Sequence, residues 1–576
     1  MVIPNAQLTN VKPMTRKMQA EQTREALRNE WSSWEAPYRE LGRYFRPRMP
    51  KFLGDVSNQG DRRDQRIVNN HGGFAVRTLS SGMMAGITSP SRPWFKLTVP
   101  DKELSEVKAV KMWLEDTEQR MQTVFLRSNL YQQLPKLYTS LGVFGTGAMF
   151  AEEDDETVVR FNAAPIGSFY IATDKRGRVN TYCRDFQMTV RQLVAKFGYD
   201  KCTQAVKDRY DNNALDEWID VVHLIQENDN YHHPDEGMKF TQGKYKKFIS
   251  LYYERGDDIS DEDDNFLRES GYDEFPLMCP RWTTDGDDYY GTSCGWDAIG
   301  DTIQLQDLER QISLAHELQV RPPMVGDPSL RGRKKSMVPA GMTYAKFDGR
   351  NASFRPLFEV QWDTRGTEND VARIEHRISR AFYEDLFLML ANSDRRQITA
   401  TEVAERQEEK LLALGPVLET LNDELLDPII DRTFAIMMRR GEFMEVPEEL
   451  SEMDLKIEYV SIMAQAQKMV GLRGMEMAVN FDAMVAGMKP DTLDVTNFDE
   501  MIREYHEKVG LSPINTNTPE EVQQVRQARA KQQQAAQQMQ MDMAKAEQAK
   551  TMSETDTGGN NALSDMVNQR NEEVMV

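Results

Sequence analysis

The sequence predicts an α+β protein that is mainly helical. Most of the chain carries apolar residues every three or four positions, which is typical of helices with one buried face. One block, between residues 146 and 254, instead contains runs that alternate apolar and polar residues, as half-buried strands do. The chain has 576 residues, of which 40% are hydrophobic and 28% are charged, so we expect a globular protein with several packing units.

The first predicted helix covers residues 15–46. Pro37 is expected to break or kink it, because proline lacks the backbone N–H that a helix interior uses. Further helices are predicted at 69–88 and 103–140. Five large apolar residues of the first helix are spaced to share one face: Leu27, Trp31, Trp34, Tyr38 and Leu41.

A β meander is predicted at residues 146–189. The turn DKRG at 174–177 separates two alternating runs there, which is the pattern of a hairpin. Residues 217–225 and 245–254 are predicted as further strands. The acidic loops between the strands lack the glycine that a calcium loop needs at its sixth position, so we expect solvated surface loops.

Two helices of similar length flank a compact excursion of the chain. The first is predicted at 298–320 and ends before the two prolines at 322 and 323. Residues 324–362 are short and strand-like and carry the basic loop RGRKK, and the second helix follows at about 367–390. The simplest arrangement is an antiparallel helix pair with a small mixed module at its far end.

The longest helical pattern covers residues 398–440. Its apolar residues repeat every three or four positions, which predicts a seam against a partner helix. Pro416 and Pro428 lie inside it and are expected to bend the helix. The seam consists of Leu411, Leu414, Leu418, Leu421, Leu425 and Ile429.

The C-terminal part is predicted as shorter helices at 455–513, followed by a polar stretch. Residues 519–551 are rich in helix formers but have almost no apolar face. This stretch is a solvated helix, one stave of a polar bundle, or disordered. The residues after it read as disordered.

The charge and the cysteines limit the class of protein. The net charge is −21, which argues against a protein that grips nucleic-acid phosphates over its whole surface. It is compatible with a protein past which DNA must slide. The four cysteines are far apart, as expected in a reducing compartment. No stretch is apolar for the roughly 20 residues that cross a bilayer, so we expect an intracellular soluble protein without an anchor.

Motifs of catalytic sites are absent from the sequence. There is no GxxxxGK[ST] loop, no complete HExxH and no GxSxG. The glycines of GVFGTGAMF follow a predicted helix rather than a strand, so they predict a turn or close packing. We therefore expect no enzymatic activity, no catalytic or metal site and no cofactor.

The stretch SSGMMAG, which begins at Ser80, predicts close packing of a helix on a neighbour, because small residues leave room for a second backbone. The prolines that follow fix the chain direction, and two aromatic residues anchor the next strand. We favour this packing role over direct contact with a partner. The motif residues are Gly82, Gly86, Pro90, Trp94 and Phe95.

Three stretches together resemble the head-to-tail connector, or portal, proteins of short-tailed, T7-like tailed bacteriophages. They are LSSGMMAGITSPSRPWFKLTVPD at 79–101, YYGTSCGWDAIGDTIQLQDLERQISLAHELQVRPP at 289–323, and ATEVAERQEEKLLALGPVLETLNDELLDPIIDRTFAIM at 400–437. The resemblance runs from about residue 15 to about 530. It implies a phage portal fold with wing, two-helix stem, clip and helical crown, assembled as a dodecameric ring at one capsid vertex.

The resemblance also implies how the chain is divided. The expected parts are a wing at 1–288, stem helices at 289–321 and 363–390, a clip at 322–362, a channel loop at 391–397, a long bent helix of the wing and channel at 398–454, a crown at 455–518, a polar helical tail or barrel at 519–551, and a disordered tail at 552–576.

Two basic groups are expected to contact partners. The channel loop places Arg395 and Arg396 where they would touch passing phosphates, unless they are simply solvated or salt-bridged. The clip residues Arg331, Arg333, Lys334 and Lys335 would face the docking proteins, and their case for touching DNA is weaker. The other channel-loop residues are Asn392, Ser393 and Asp394.

The implied partners are copies of the same chain, double-stranded DNA that passes non-specifically, the major capsid and scaffolding proteins, the large terminase subunit, the tail adaptor and tail tube, and internal core proteins, with no membrane. The expected location is the virion, with assembly in the host cytoplasm. Two other hypotheses are a packaging ATPase subunit, disfavoured by the missing phosphate loop, and a tail adaptor or internal virion protein.

Overall fold

The computed structural model describes most of the chain, and the following statements concern the residues it describes. These are 15–49, 51–52, 65–101, 107–228, 231, 246–255, 266–321, 324–326, 354–356, 364–391, 414–447, 450, 456–459, 472–486, 496–509, 519–554 and 570. They fall in two compact units, Met1–Gly471 and Leu472–Val576.

The first unit begins with helix α1, Arg16–Phe45, which starts where the Thr15 side chain accepts a hydrogen bond from the Met18 N–H. The predicted apolar face is buried, with Trp34 partly so. Pro37 does not break the helix, which continues to Phe45. Burial of Trp31 and Tyr38 on either side of the proline favours continuation over the loss of one backbone hydrogen bond.

Helix α2, His71–Gly86, agrees with the prediction, and the region predicted as helical at 103–140 is helical in its described part but interrupted at Ser128 and Asn129. The chain forms α3, Lys108–Arg127, and α4, Leu130–Phe144. Ser128 has extended backbone angles, and its hydroxyl accepts a hydrogen bond from the Leu130 N–H. Asn129 uses its side chain to bond both backbone groups of Phe161. These side-chain bonds compete with continuous helix.

Strands β2 (Ala148–Asp154), β3 (Val158–Ala164), β4 (Phe169–Thr173) and β5 (Val179–Thr189) confirm the predicted meander. The meander is divided between two antiparallel sheets. A five-stranded sheet has the order β4-β5-β6-β7-β8, and a three-stranded sheet the order β3-β2-β9. The remaining strands are β6 (Trp218–Glu227), β7 (Phe248–Glu254), β8 (Arg268–Tyr272) and β9 (Leu277–Met278).

The predicted hairpin turn at 174–177 joins β4 to β5. Gly177 has φ 77°, a left-handed conformation that favours glycine. The Asp174 carboxylate accepts hydrogen bonds from the N–H groups of Arg176 and Arg178. Helices α5 (Val190–Phe197) and α6 (Gln204–Asp211) lie between β5 and β6.

Helix α7, Cys294–Val320, confirms the first helix predicted beside the excursion. The second predicted helix is divided into α8, Thr364–Ala381, and α9, Glu384–Ala391. Tyr383, between them, has φ 51°, a left-handed conformation that interrupts an α-helix. Strands β10 (Met324–Gly326) and β11 (Phe354–Pro356) pair antiparallel and join the two ends of the excursion.

The described part of the long predicted helix starts at residue 414. Residues 414–421 are α-helical, Asn422–Leu426 form a π-helical turn, and α10 spans Asp427–Arg440. The described seam residues are buried, but α10 packs on strands β2 and β3 and not only on a helix. The N-terminal portion of the seam, including Leu411, lies outside the described residues.

The prediction that residues from 455 onward are helical is wrong at its start. Residues Lys456–Tyr459 form strand β12, which pairs antiparallel with β1, Phe95–Thr98. The pattern KIEYV alternates, and pairing with a distant strand stabilises it. This strand belongs to the first unit, so the first unit includes the beginning of the region predicted as crown.

The second unit contains α11 (Leu472–Ala486), α12 (Phe498–Val509) and α13 (Pro519–Glu554). The polar stretch is helical, and the described side chains of α13 are almost all exposed in the single chain, as expected both for a solvated helix and for one stave of a polar bundle. Arg526 of α13 makes two 2.7 Å bonds to the carboxylate of Asp499. Of residues 552–576, predicted as disordered, all but 552–554 and Arg570 lie outside the described part, as do Pro490 and Pro513.

Candidate functional site

The helices α7 and α8 lie on either side, along the chain, of the segment that carries the basic loop, and α9 follows α8. The channel-loop residues Asn392, Ser393, Asp394, Arg395 and Arg396 lie outside the described residues, as do Arg331, Arg333, Lys334 and Lys335 of the basic loop. The β10–β11 ribbon borders the excursion that carries the basic loop, and α9 ends at Ala391, directly before the predicted channel loop. The candidate site is therefore this helix pair together with α9.

Helices α7 and α8 pack against each other and run antiparallel. Arg377 near the end of α8 forms an ion pair of 2.9 Å with Asp301 near the start of α7. The same guanidinium donates to the Gln304 side chain at 3.1 Å. Leu314 and Val320, in the half of α7 toward the ribbon, are 56% and 78% exposed.

The segment before α2 forms hydrogen bonds with the helix pair, and these contacts were not predicted from the sequence. The side-chain oxygen of Gln306 accepts hydrogen bonds from the N–H groups of Val68 and Asn69 at 2.7 and 2.9 Å. Its amide nitrogen donates to the Asn69 carbonyl at 2.7 Å. Gln306 is 1% exposed. Its place beside Leu305 on the buried face of the helix could have indicated this contact, because a buried amide needs hydrogen-bond partners.

Asn69 also connects the two helices. Its side-chain nitrogen donates to Glu309 of α7 at 3.0 Å and to Glu375 of α8 at 2.9 Å. His71 contacts the Glu375 carbonyl and the Ser379 hydroxyl through Nε2, at 3.0 and 2.8 Å. One short segment therefore determines the spacing of both helices.

The junction of α8 with α9 is held by the same group of contacts. The Ser379 hydroxyl donates to the carboxylate of Glu384, the first residue of α9. Phe382 is fully buried and packs edge-on against Phe45 of α1, with ring centres 5.4 Å apart. These contacts support Tyr383 in its left-handed conformation, which orients α9 and therefore the start of the predicted channel loop.

Gly82 lies where α2 meets α9. A Cβ atom at this position would be 2.4 Å from Phe387 Cβ and 2.8 Å from Phe387 Cα, so only glycine allows this approach. Gly86 is buried at the end of α2, and Pro90 is exposed in the following turn. Trp94 and Phe95 are buried, and Phe95 begins β1.

The aromatic pair links β1 to helices α3 and α4, which follow it in the chain. Trp94 donates to the Tyr131 hydroxyl at 3.2 Å and stacks on Phe125 at 5.8 Å between ring centres. Phe95 contacts the same ring at 5.9 Å. The geometry of these residues is that of internal packing.

The π-helical turn precedes Pro428, the second residue of α10. The Asp427 N–H bonds to the Asn422 carbonyl, five residues back. Such a turn accommodates a proline, which removes one donor and crowds the carbonyl four residues earlier. Glu424 in this turn is paired with Arg281, whose side chain is 6% exposed. Pro416 lies in the helical segment 414–421, and the bends at both prolines remain predictions.

No group of three or more His, Cys, Asp or Glu residues in the described part of the chain could hold a metal ion. Within the same ranges, no helix is long and apolar enough to cross a membrane. The four cysteines are buried and unpaired, and burial raises the pKa of Cys183, Cys202, Cys279 and Cys294.

Comparison with known proteins gives consistent matches over nearly the whole chain. The family described as "Bacteriophage head to tail connecting protein" matches residues 17–514. The chain is 44% identical over 543 residues to the portal protein of Salmonella phage epsilon15, which covers 94% of this chain and 96% of that protein. It is 39% identical over 540 residues to the probable portal protein of Bordetella phage BPP-1, again covering 94% of this chain and 96% of the relative.

Proposed function

The chain belongs to the family of bacteriophage head to tail connecting proteins, the phage portal proteins, and on that premise we propose that twelve copies form a ring at one capsid vertex through which double-stranded DNA enters and leaves. Members of this family are structural proteins of the virion. The ring would serve genome packaging and ejection, dock the terminase and later the tail, and assemble in the host cytoplasm.

The observation that carries the proposal is the antiparallel pair of α7 and α8, closed at one end by the β10–β11 ribbon. In a ring, twelve such pairs side by side would form a stem. Residues 322–362, which include the ribbon, would form the clip. The exposed Leu314 and Val320 then become buried between neighbouring pairs, since obligate interfaces are more apolar than ordinary surfaces.

The charge of the chain supports a conduit that does not retain DNA. Each copy has a net charge of −21. The wall of the proposed channel would therefore repel DNA at distances within the Debye length, which is about 8 Å at physiological ionic strength. Local cations such as Arg395 and Arg396 would make brief phosphate contacts that salt screens. The clip surface with Arg331, Arg333 and the two following lysines would chiefly bind protein partners.

The proposed partners are those of the assembly pathway. They are further copies of the chain, the major capsid and scaffolding proteins, the large terminase subunit, the tail adaptor and tail tube, and internal core proteins. ATP hydrolysis would belong to the terminase and not to the ring.

A packaging experiment tests the role of the channel loop. We would compare R395Q/R396Q with a double control in the clip, K334Q/K335Q, in particles assembled with each ring. The channel variant is expected to assemble normally but to change the packaged DNA length or the salt dependence of packaging. The clip variant is expected to affect terminase or tail attachment instead. Identical DNA handling by the channel variant and the unaltered ring would refute the phosphate contacts.

A further inference from the structure

A pocket of about 310 Å³ lies between the two sheets and α10, away from the helix pair. Its walls come from the end of β2, from β7 and β8, from α5 and from α10. Its charged lining consists of Lys196, Lys246, Arg268, Arg432, Arg439, Glu152, Glu153 and Asp273. Its polar lining and its small size fit a small charged group better than an apolar ligand.

Three of the cations in the pocket have carboxylate partners. Lys246 pairs with Asp273 at 2.9 Å. Arg432 and Arg439 share one carboxylate, that of Glu274, at 3.2 and 3.0 Å. The lining thus has five cationic side chains and three carboxylates, Glu152, Glu153 and Asp273, with Glu274 shared by the two arginines.

The other two cations have no carboxylate within 4.0 Å among the described residues. Lys196 projects over the rings of Phe197 and Tyr252, at 5.4 and 5.1 Å from their centres. Arg268 is an exposed residue at the start of the edge strand β8. Two further carboxylates line the pocket: Glu152, which lies opposite Arg160 across the β2–β3 pair, and Glu153, which is 3.9 Å from Arg440.

The surroundings of Lys196 favour an added anion. Burial lowers the pKa of Lys196, Arg268 and Arg184 lower it further, and Glu152 acts in the opposite direction. Arg184 lies on strand β5 and is not among the residues that line the pocket, so Lys196 and Arg268 are the two groups that an anion there would meet. An oxyanion close to these groups would stabilise the charged ammonium.

We propose that this pocket binds an oxyanion of the phosphate or carboxylate kind, with Lys196 and Arg268 as its charged donors. Charge-assisted hydrogen bonds from ammonium and guanidinium groups to such oxygens are among the strongest in proteins. The excess of cations is local, because the whole chain has a net charge of −21. The proposal is independent of how the ring acts on DNA.

Calorimetric titration of the full-length chain with inorganic phosphate tests the site, in chloride buffers of matched ionic strength at neutral pH. We would compare K196M, which keeps the aliphatic contact with the two rings, R268Q and the charge-conserving K196R. Loss of one charged donor is expected to weaken phosphate binding at least tenfold, whereas K196R should stay within a factor of about three.

The matched control is K207M. Lys207 also lies over an aromatic ring, at 5.8 Å from the centre of Tyr199, but on α6 and outside the pocket. Its substitution should leave phosphate binding unchanged. Circular dichroism of each variant establishes that the fold is retained. Phosphate binding that is equal in the unaltered chain, K196M and R268Q would overturn the proposal.

The natural oxyanion is either a free ion or an acidic side chain from a second copy of the chain. Mass photometry at several protein concentrations, with and without phosphate, distinguishes them. A free ion should bind assembled and unassembled chains alike. A carboxylate from a second copy should exclude phosphate from the assembled form, and K196M but not K207M should then assemble only at higher concentration. Failure of the unassembled chain to bind phosphate, together with normal assembly of K196M, would also overturn the proposal.

Discussion

Replacement of Gly82 by alanine tests the close approach of α2 to α9 directly. The new Cβ would lie 2.4 Å from Phe387 Cβ and 2.8 Å from its Cα, and neither atom moves without the backbone. Overpacking of this kind costs about 1–3 kcal/mol, and the higher helix propensity of alanine offsets about 1 kcal/mol. We expect a net loss of up to about 2 kcal/mol, concentrated in the two helices.

Hydrogen exchange measured by mass spectrometry reports this loss locally. Since 1.4 kcal/mol corresponds to about a tenfold change, the amides of α2 and α9 should exchange up to about 30-fold faster in G82A. The matched control is G300A in α7, where an added Cβ has no neighbour within 4 Å and should slow local exchange. If the α2 amides of G82A exchange as slowly as those of the unaltered chain, the packing account of this glycine is refuted.

Two further predictions concern buried charge. D185N should lower the free energy of unfolding in denaturant by about 3–5 kcal/mol, because Asp185 receives two 2.9 Å hydrogen bonds from the buried Arg24 guanidinium. The control E269Q, which removes the exposed partner of Arg16, should cost no more than about 1 kcal/mol, and equal losses in the two variants would contradict this prediction. Burial lowers the pKa of His223 well below its usual value, so the unfolded chain binds the proton more readily and stability is lost as pH falls below about 6.5. H223Q should therefore lose less stability than the unaltered chain between pH 7 and pH 5, and parallel pH profiles of the two proteins would exclude a contribution from this histidine.

The periodic parts of the fold could be predicted from the sequence, and the interruptions could not. Apolar spacing was sufficient for α1, α2 and α7 and for the meander strands, because burial of one face dominates their stability. The breaks at Ser128 and Tyr383 depend on side-chain bonds and distant packing, which no local pattern contains. Strand β12 is four residues long and is stabilised by pairing with β1, more than 350 residues away.

The candidate site was predictable to a similar degree. The helix pair around the excursion followed from two periodic stretches and a double proline. The hydrogen bonds between Gln306 and the backbone of Asn69 were not predicted, because a polar segment before a helix has the same sequence pattern as an ordinary loop. Its signal lies in the buried glutamine, whose partners become known only once the chain is folded.

The measurement that tests the central claim most directly is electron cryo-microscopy of the purified full-length chain. Class averages and a reconstruction should show rings with twelve-fold symmetry and a central channel, with α7 and α8 of adjacent copies side by side in a stem. A closed assembly without a central channel, or one in which the helix pairs do not face one another, would contradict the account.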